Sequence, residues 1–137
     1  MYHSITIVGN LGRDPEMRYT PNGTPVTSFN VASNRQYTNS QGERVKETIW
    51  FRVSAWSKLA ETCNNFLHKG SRVLVEGRLV PDPVSGGPRT YTRQDGTTAA
   101  SFEITANTVR FLDPKGEVGG YSEEGGDLMA DDEEIPF

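Results

Sequence analysis

The sequence predicts an all-β fold, a five-stranded Greek-key barrel of the OB-fold type with one short helix between strands 3 and 4, followed by a disordered acidic C-terminal tail. Several short stretches alternate apolar and polar residues with the period of two that a β-strand requires. Turn-forming residues separate these stretches, and a single helical pattern interrupts them. Strand, strand, strand, helix, strand, strand is the element order of an OB-fold, although other small barrels have similar counts.

The first two strands are separated by a loop and a tight turn. Residues 3–11, HSITIVGNL, alternate and are predicted to be the first strand. Residues 13–16 are predicted to be a loop, because Pro15 blocks helix propagation. The Pro-Asn-Gly sequence at 21–23 is a strong hairpin signal, and the second strand is predicted over residues 24–35.

The third predicted strand, residues 45–56 (VKETIWFRVSAW), has two unlike faces. Its even positions carry Trp50 and Trp56 interleaved with Lys46 and Arg52. Nucleic-acid bases stacked on the indoles, with phosphates beside the cations, would explain such a face. The alternative is a strand buried on both faces, as in a sandwich or a subunit interface, and the strand alone does not decide between them. Its odd positions, predicted to face the barrel core, are Val45, Glu47, Ile49, Phe51, Val53 and Ala55.

A short helix is predicted to follow this strand. Ser57 is a suitable N-cap, and Gly70 is a suitable C-terminal stop. The apolar residues at helical spacing are Leu59, Cys63, Phe66 and Leu67.

Two further strands complete the predicted barrel. Residues 71–80 form the fourth strand, with Val73, Val75 and Leu79 on one face. Residues 81–88, PDPVSGGP, are predicted to be a loop, and the last strand is predicted over residues 100–112.

The charge of the chain is divided unequally. The 137 residues carry a net charge of −4, which taken alone argues against a nucleic-acid partner. Residues 1–112, however, hold 13 Lys and Arg against 9 Asp and Glu, a balance of +4. Residues 113–137 hold one Lys against 9 Asp and Glu, a balance of −8, and are rich in Gly. We therefore predict a folded domain over residues 1–112 and a disordered acidic tail over residues 113–137.

The last seven residues, DDEEIPF, differ from the rest of the tail. Apolar residues at the end of a tail add nothing to its solubility. They suit a partner's apolar pocket, with the carboxylates meeting a basic rim. The alternative is a solvated tail that only keeps the protein soluble. The candidate partner-binding residues are Asp131, Asp132, Glu133, Glu134, Ile135, Pro136 and Phe137.

The sequence offers little support for catalysis or for membrane insertion. It contains no HExxH, CxxC, GxSxG or P-loop pattern, so we predict no enzyme, no catalytic residue and no cofactor. Asp14 and Glu16 share a loop that is predicted to be a solvated turn rather than a metal site. No apolar run approaches ~18 residues, and no signal peptide is expected. The single cysteine, Cys63, suits a reducing compartment and is predicted to be a small buried residue.

Several blocks of the sequence, in order, resemble bacterial-type single-stranded DNA-binding proteins, the SSB family. The blocks cover nearly the whole chain, which makes the resemblance specific. They are IVGNLGRDPEMRYT at 7–20, FNVASNR at 29–35, WFRV at 50–53, KLAE at 58–61, KGSRV at 69–73, EGRL at 76–79 and the terminal DDEEIPF.

The resemblance implies an OB-fold that assembles as a homotetramer and binds single-stranded DNA without sequence preference. It implies stacking aromatics at Trp50 and Trp56, with Tyr37 as the nearest candidate at the end of the second strand and Tyr91 in the hairpin before the last strand. It also implies docking of replication, recombination and repair proteins at the acidic tip, and a cytoplasmic, nucleoid-associated protein. The cations predicted to contact phosphates are Arg35, Lys46, Arg52, Arg72, Arg78, Arg89 and Arg93.

The sequence departs from the family pattern in three places. Residues 81–88 look like an insertion before Arg89 and Tyr91, the tip has DDEE where a run of Asp is common, and the tail is short. Two rival classes are a dimeric OB-fold accessory factor of the replication-restart type, which lacks the tip, and an OB module that binds sugar or RNA.

Overall fold

The computed structural model describes residues 1–113. Five of its strands form a closed ring in the order β1, β5, β7, β4, β3 and back to β1. Neighbours in the ring are antiparallel, except that β4 and β7 are parallel. The elements are β1 (Ile5–Leu11), β2 (Glu16–Tyr19), β3 (Pro25–Thr38), β4 (Arg44–Trp56), α1 (Ser57–Phe66), β5 (Arg72–Val80), β6 (Arg89–Thr92) and β7 (Thr98–Phe111).

This ring confirms the predicted OB-fold. The helix α1 lies between the third and fourth strands of the ring, β4 and β5. Two short strands lie outside the ring, β2 paired with β3 and β6 paired with β7. The predicted disordered tail begins at the last described residue, Asp113, and residues 114–137 lie outside the described residues.

The barrel core follows from alternation along the strands. Each ring strand turns every second residue inward, where apolar side chains lose their contact with water. The helix packs against this core through Cys63, and Leu67, the residue after the helix, is also buried there. The buried Thr27 hydroxyl of β3 donates a 2.7 Å hydrogen bond to the Ala60 carbonyl of α1. The inward residues include Ile7, Phe29, Val31, Phe51, Val53, Val73, Val75 and Ile104.

Two glycines allow strands of the ring to approach each other closely. A Cβ added at Gly9 would lie 2.2 Å from the carbonyl oxygen of Ala32. A Cβ added at Gly77 would lie 2.1 Å from the carbonyl oxygen of Thr105, beside a bulge between Glu76 and Gly77. Both distances are far inside van der Waals contact, so no side chain fits at either position.

The predicted ends of the helix are wrong. The N-cap is Trp56, without a side-chain cap hydrogen bond, and Ser57 has a positive φ of 58°. The helix ends at Phe66, before Gly70. Gly70 instead has a φ of 91° and donates its N–H to the Leu11 carbonyl at 3.0 Å, which ties the turn after the helix to the end of β1.

The predicted core face of β4 is correct only for its second half. Phe51, Val53 and Ala55 are buried, whereas Ile49 is 46% exposed. Strand β4 pairs with β7 only over residues 51–54, and β3 pairs with β1 only at residues 31 and 32. Residues 33–38 of β3 and residues 44–49 of β4 pair only with each other, so within residues 1–113 no third strand covers Ile49.

Smaller differences lie at the other strand ends. Glu16, predicted to lie in a loop, begins β2 and pairs with Ser28 of β3. Leu79, predicted to lie on one face with the buried Val73 and Val75, is exposed near the end of β5. Alternation predicts which side a residue faces, but not whether another element covers it.

The thiol of Cys63 should make the protein less stable at high pH. Cys63 is buried as predicted, and burial raises the pKa of its thiol to about 11. Because the unfolded thiol ionises first, stability should fall as the pH rises from 9 to 11, by up to about 2–3 kcal/mol. Urea unfolding across this range measures the loss. The Cys63→Ala variant should not show this loss of stability. If the stability of both proteins fell equally between pH 9 and 11, the thiol of Cys63 would not be its cause.

Candidate nucleic-acid interface

The outer face of β4 carries both tryptophans of the chain. Since Phe51, Val53 and Ala55 point inward, the alternation of the strand directs Trp50 and Trp56 outward. Trp50 is 53% exposed and Trp56 is 45% exposed. Within residues 1–113, β4 is therefore not buried on both faces, which argues against the sandwich alternative.

Residues of the neighbouring strands extend this outer face. Residues opposite each other in a ladder point to the same side of the sheet. Arg52 of β4 lies opposite Glu103 of β7. Arg78 of β5 and Arg89 of β6 lie opposite Thr105 and Ser101 of β7, which belong to the same alternating set as Glu103.

One cleft brings together two of the predicted aromatics. It has a volume of about 490 Å³, and Trp50 and Tyr91 both line it. Tyr91 is 51% exposed, so its ring is accessible to a ligand. Two arginines, Arg13 and Arg52, line the same cleft. The other lining residues are Asn30, Phe51, Ala100, Ser101 and Glu103.

A second cleft lies beside the other tryptophan. It has a volume of about 590 Å³ and is lined by Trp56, Arg78, Leu59 and three residues of β7. Trp56 is six residues from Trp50 on the same strand, a separation of roughly 20 Å. The outer face of β4 thus presents two sites, each with one indole and at least one cation.

The first cleft also contains a carboxylate. Glu103 forms an ion pair with Arg89, with 3.7 Å between its Oε1 and the arginine Nε, and accepts a 3.5 Å hydrogen bond from the Ser101 hydroxyl. Arg89 therefore has an intramolecular counter-ion. Within residues 1–113, Arg13 and Arg52 form no hydrogen bond or ion pair through their side chains and are free to meet a phosphate.

The hairpin of β6 and β7, which carries Tyr91, is closed by a hydrogen-bonded turn. The Thr97 backbone N–H and hydroxyl both donate to the Asp95 carboxylate, at 3.0 and 2.7 Å, and lower its pKa. Arg93 lies in this turn and donates from Nη1 to the Thr97 hydroxyl at 3.4 Å. The turn fixes the end of the hairpin that presents Tyr91.

Six predicted DNA-binding residues do not line either cleft, and they are Arg35, Tyr37, Lys46, Arg72, Arg89 and Arg93. Arg35 and Tyr37 lie opposite Glu47 and Val45, on the face of the β3–β4 ribbon away from Lys46 and Trp50.

There they form a cluster of their own. Arg35 pairs with Glu47 at 3.2 Å, its guanidinium lies 4.5 Å from the Tyr37 ring centroid, and the Tyr37 hydroxyl donates to Glu47 at 3.4 Å. Arg72 lies opposite Asn10, at the other end of β5 from Arg78. The roles of Arg35, Tyr37 and Arg72 in DNA binding stay predictions.

Comparisons with known proteins agree with this geometry. The chain is 40% identical over 126 residues to a single-stranded DNA-binding protein of Oceanobacillus iheyensis, covering 92% of this chain and 73% of the relative. It is 42% identical over 126 residues to single-stranded DNA-binding protein A of Bacillus subtilis, covering 92% and 67%. The crystal structure of a small single-stranded DNA-binding protein from Streptomyces coelicolor superposes with a TM-score of 0.65 at 29% identity, covering 80% of this chain and 93% of that chain.

The sequence model of the Single-strand binding protein family matches residues 2–112. The chain belongs to this family. Membership in the Single-strand binding protein family confirms the resemblance and, because the family is not enzymatic, the expectation that the chain is not an enzyme.

The structure brings Arg13 of the β1–β2 loop and Asn30 of β3 to the first cleft, although the sequence did not indicate them for DNA binding. It also places Gly12 of the same loop against Trp50. The only sequence feature that indicated Gly12 and Arg13 is their place in the family block at 7–20. Both are far from Trp50 in the sequence, so their proximity to it in space was not predictable.

The loop that holds Gly12 and Arg13 is tied to the turn after α1. The Asp14 carboxylate accepts a 2.8 Å hydrogen bond from the Lys69 backbone N–H. Among residues 1–113 no three His, Cys, Asp or Glu side chains cluster in a way that would hold a metal ion.

No helix in the described part of the chain is long and apolar enough to span a membrane. The tip residues 131–137 lie outside the described residues.

Proposed function

We propose that residues 1–112 bind single-stranded DNA without sequence preference along the outer face of β4, β6 and β7. The observation that carries this is the first cleft, in which Trp50 and Tyr91 lie beside Arg13 and Arg52. Every base has a π-face that an aromatic ring can stack on, and every nucleotide has a phosphate that a cation can neutralise. The names of the relatives support the same ligand.

The distance between Trp50 and Trp56 determines how the DNA strand binds. Trp50 and Trp56 are roughly 20 Å apart, so they stack on different bases, and each stacked base contributes about 1–3 kcal/mol. Arg52 lies between the two indoles and contacts the intervening phosphates. Lys46 extends the track toward the end of the ribbon, and Arg78 extends it beside Trp56.

Titration of the protein with oligo(dT) tests this function. Stacking should quench the tryptophan fluorescence, and the affinity should fall steeply with salt. Replacing Arg52 by Gln should reduce the log–log salt slope by about 0.7, the value for one phosphate contact on a single strand. Arg110→Gln is the charge-matched control, because Arg110 lies opposite Leu74, outside both clefts. Absence of quenching, or an equal slope change in both variants, would contradict the proposal.

The binding domain assembles as a homotetramer, as the family resemblance implies, in the cytoplasm and at the nucleoid. Light scattering with and without dT oligomers of graded length measures the assembly. Competition between DNA and RNA oligomers separates this function from an RNA-binding OB module, since recognition of the RNA 2′-OH would favour RNA.

The acidic tail, residues 113–137, recruits replication, recombination and repair proteins through its tip. Ile135 and Phe137 provide apolar anchors next to four consecutive carboxylates. Deleting residues 135–137 should abolish capture of such partners and leave oligo(dT) affinity unchanged. Replacing Met129 by Ala, outside the tip, is the control. If capture of partner proteins were unchanged after the deletion, the tail would serve only to keep the protein soluble.

A further inference from the structure

Gly12 lies directly against the indole of Trp50. A Cβ added at Gly12 would lie 2.7 Å from Cζ3 and 2.8 Å from Cη2 of Trp50, well inside van der Waals contact. The backbone at Gly12 is not in the left-handed region, unlike that at Gly23 or Gly70. The conformation of the chain therefore does not require glycine at this position, and the space that it leaves is occupied by the indole alone.

The loop that carries Gly12 is fixed on both sides. Asn10 donates from Nδ2 to the Gly70 carbonyl at 3.1 Å, and the Lys69 N–H donates to Asp14 at 2.8 Å. Gly12 itself donates its N–H to the Asn30 carbonyl at 3.1 Å, which holds it against β3. Because these bonds tie the loop to β3 and to the turn after α1, a side chain at position 12 would displace the indole rather than the loop.

The geometry points to Gly12 as a positioning residue for DNA binding, one that acts by seating the Trp50 ring. Because Gly12 has no side chain, the outer edge of the indole can lie against it. In that position the ring presents its face to the cleft that Trp50 shares with Tyr91. This inference rests on the proposed function, because it assumes that Trp50 stacks on a base.

A double-mutant cycle tests the inference. Gly12→Ala should lower oligo(dT) affinity by at least about fivefold, the lower end of the value of one stacked base. In a Trp50→Phe protein, whose phenyl ring lacks the outer edge of the indole, the same change should cost less than about twofold. An equal loss in both backgrounds, or no loss with Trp50 present, would overturn the inference. Normal binding by Trp50→Ala would instead overturn the role of Trp50 in the proposed function.

A second measurement needs no DNA. The chain has two tryptophans, so Trp50 is the only one that remains in a Trp56→Phe background. Gly12→Ala should then shift the emission of the free protein to the red and increase its quenching by acrylamide. Gly87→Ala is the matched control, since a Cβ at Gly87 meets only the Ser85 hydroxyl at 3.6 Å, and it should change nothing. An unchanged Trp50 spectrum in Gly12→Ala would overturn the seating role.

Discussion

Replacing Trp50 by alanine is expected to weaken oligo(dT) binding by about 5- to 150-fold, which corresponds to about 1–3 kcal/mol. The indole is one wall of the cleft that it shares with Tyr91, and alanine offers a base no surface to stack on. Trp50 is already 53% exposed, so the free energy of unfolding should change little. Fluorescence anisotropy of a labelled dT oligomer measures the affinity, and urea unfolding measures the stability.

Phe66→Ala is the matched control for this experiment. Phe66 is an exposed aromatic at the end of α1 that contacts Phe111, with 6.0 Å between ring centroids, and it lines neither cleft. Its removal should leave the affinity unchanged. If both variants lost affinity equally, a general loss of exposed aromatic surface would explain the result, and the stacking role of Trp50 would be wrong.

Replacing Gly77 by alanine is expected to destabilise the barrel by about 3 kcal/mol or more, at or above the usual range for an overfilled core. The added Cβ would meet the Thr105 carbonyl at 2.1 Å, and that oxygen belongs to the backbone of the neighbouring strand β7. A backbone atom cannot rotate away as a side chain does, so β5 and β7 would have to separate. Urea unfolding followed by circular dichroism measures the loss.

Gly87→Ala is the control for stability as well, because position 87 has room for a methyl group. It should change the free energy of unfolding by less than about 0.5 kcal/mol. A comparably small effect of Gly77→Ala would show that the sheet adjusts at the nearby bulge, and that the close approach of β5 and β7 is not required.

Much of the fold was predictable because alternation is a local property. The inward Phe51 and Val53, and the outward Trp50 and Arg52, follow from the period of a single strand. The exposure of Ile49 did not follow, because it depends on where β7 stops pairing with β4. The cap of α1 was missed for a related reason, since the chain turns from β4 directly into the helix with Ser57 at a positive φ.

The candidate site was predictable in part. Trp50 and Tyr91 were singled out separately, but their common cleft arises only when β7 brings β6 beside β4. Arg13 joins the cleft through the tertiary position of its loop, which no local pattern reports. The family resemblance indicates Tyr37 only as the nearest aromatic at the end of the second predicted strand, and the strand register places it on the face opposite to Trp50.

The alternation of β4 also bears on the entropy of binding. The two indoles stand on the same backbone that carries Phe51, Val53 and Ala55 into the core, so loosening the platform would mean loosening the barrel. When a ligand binds a protein surface that is already ordered, the ordering of that surface costs little binding free energy. The conformational freedom lost on binding is therefore mainly that of the DNA strand, whose flexibility is set by its base sequence.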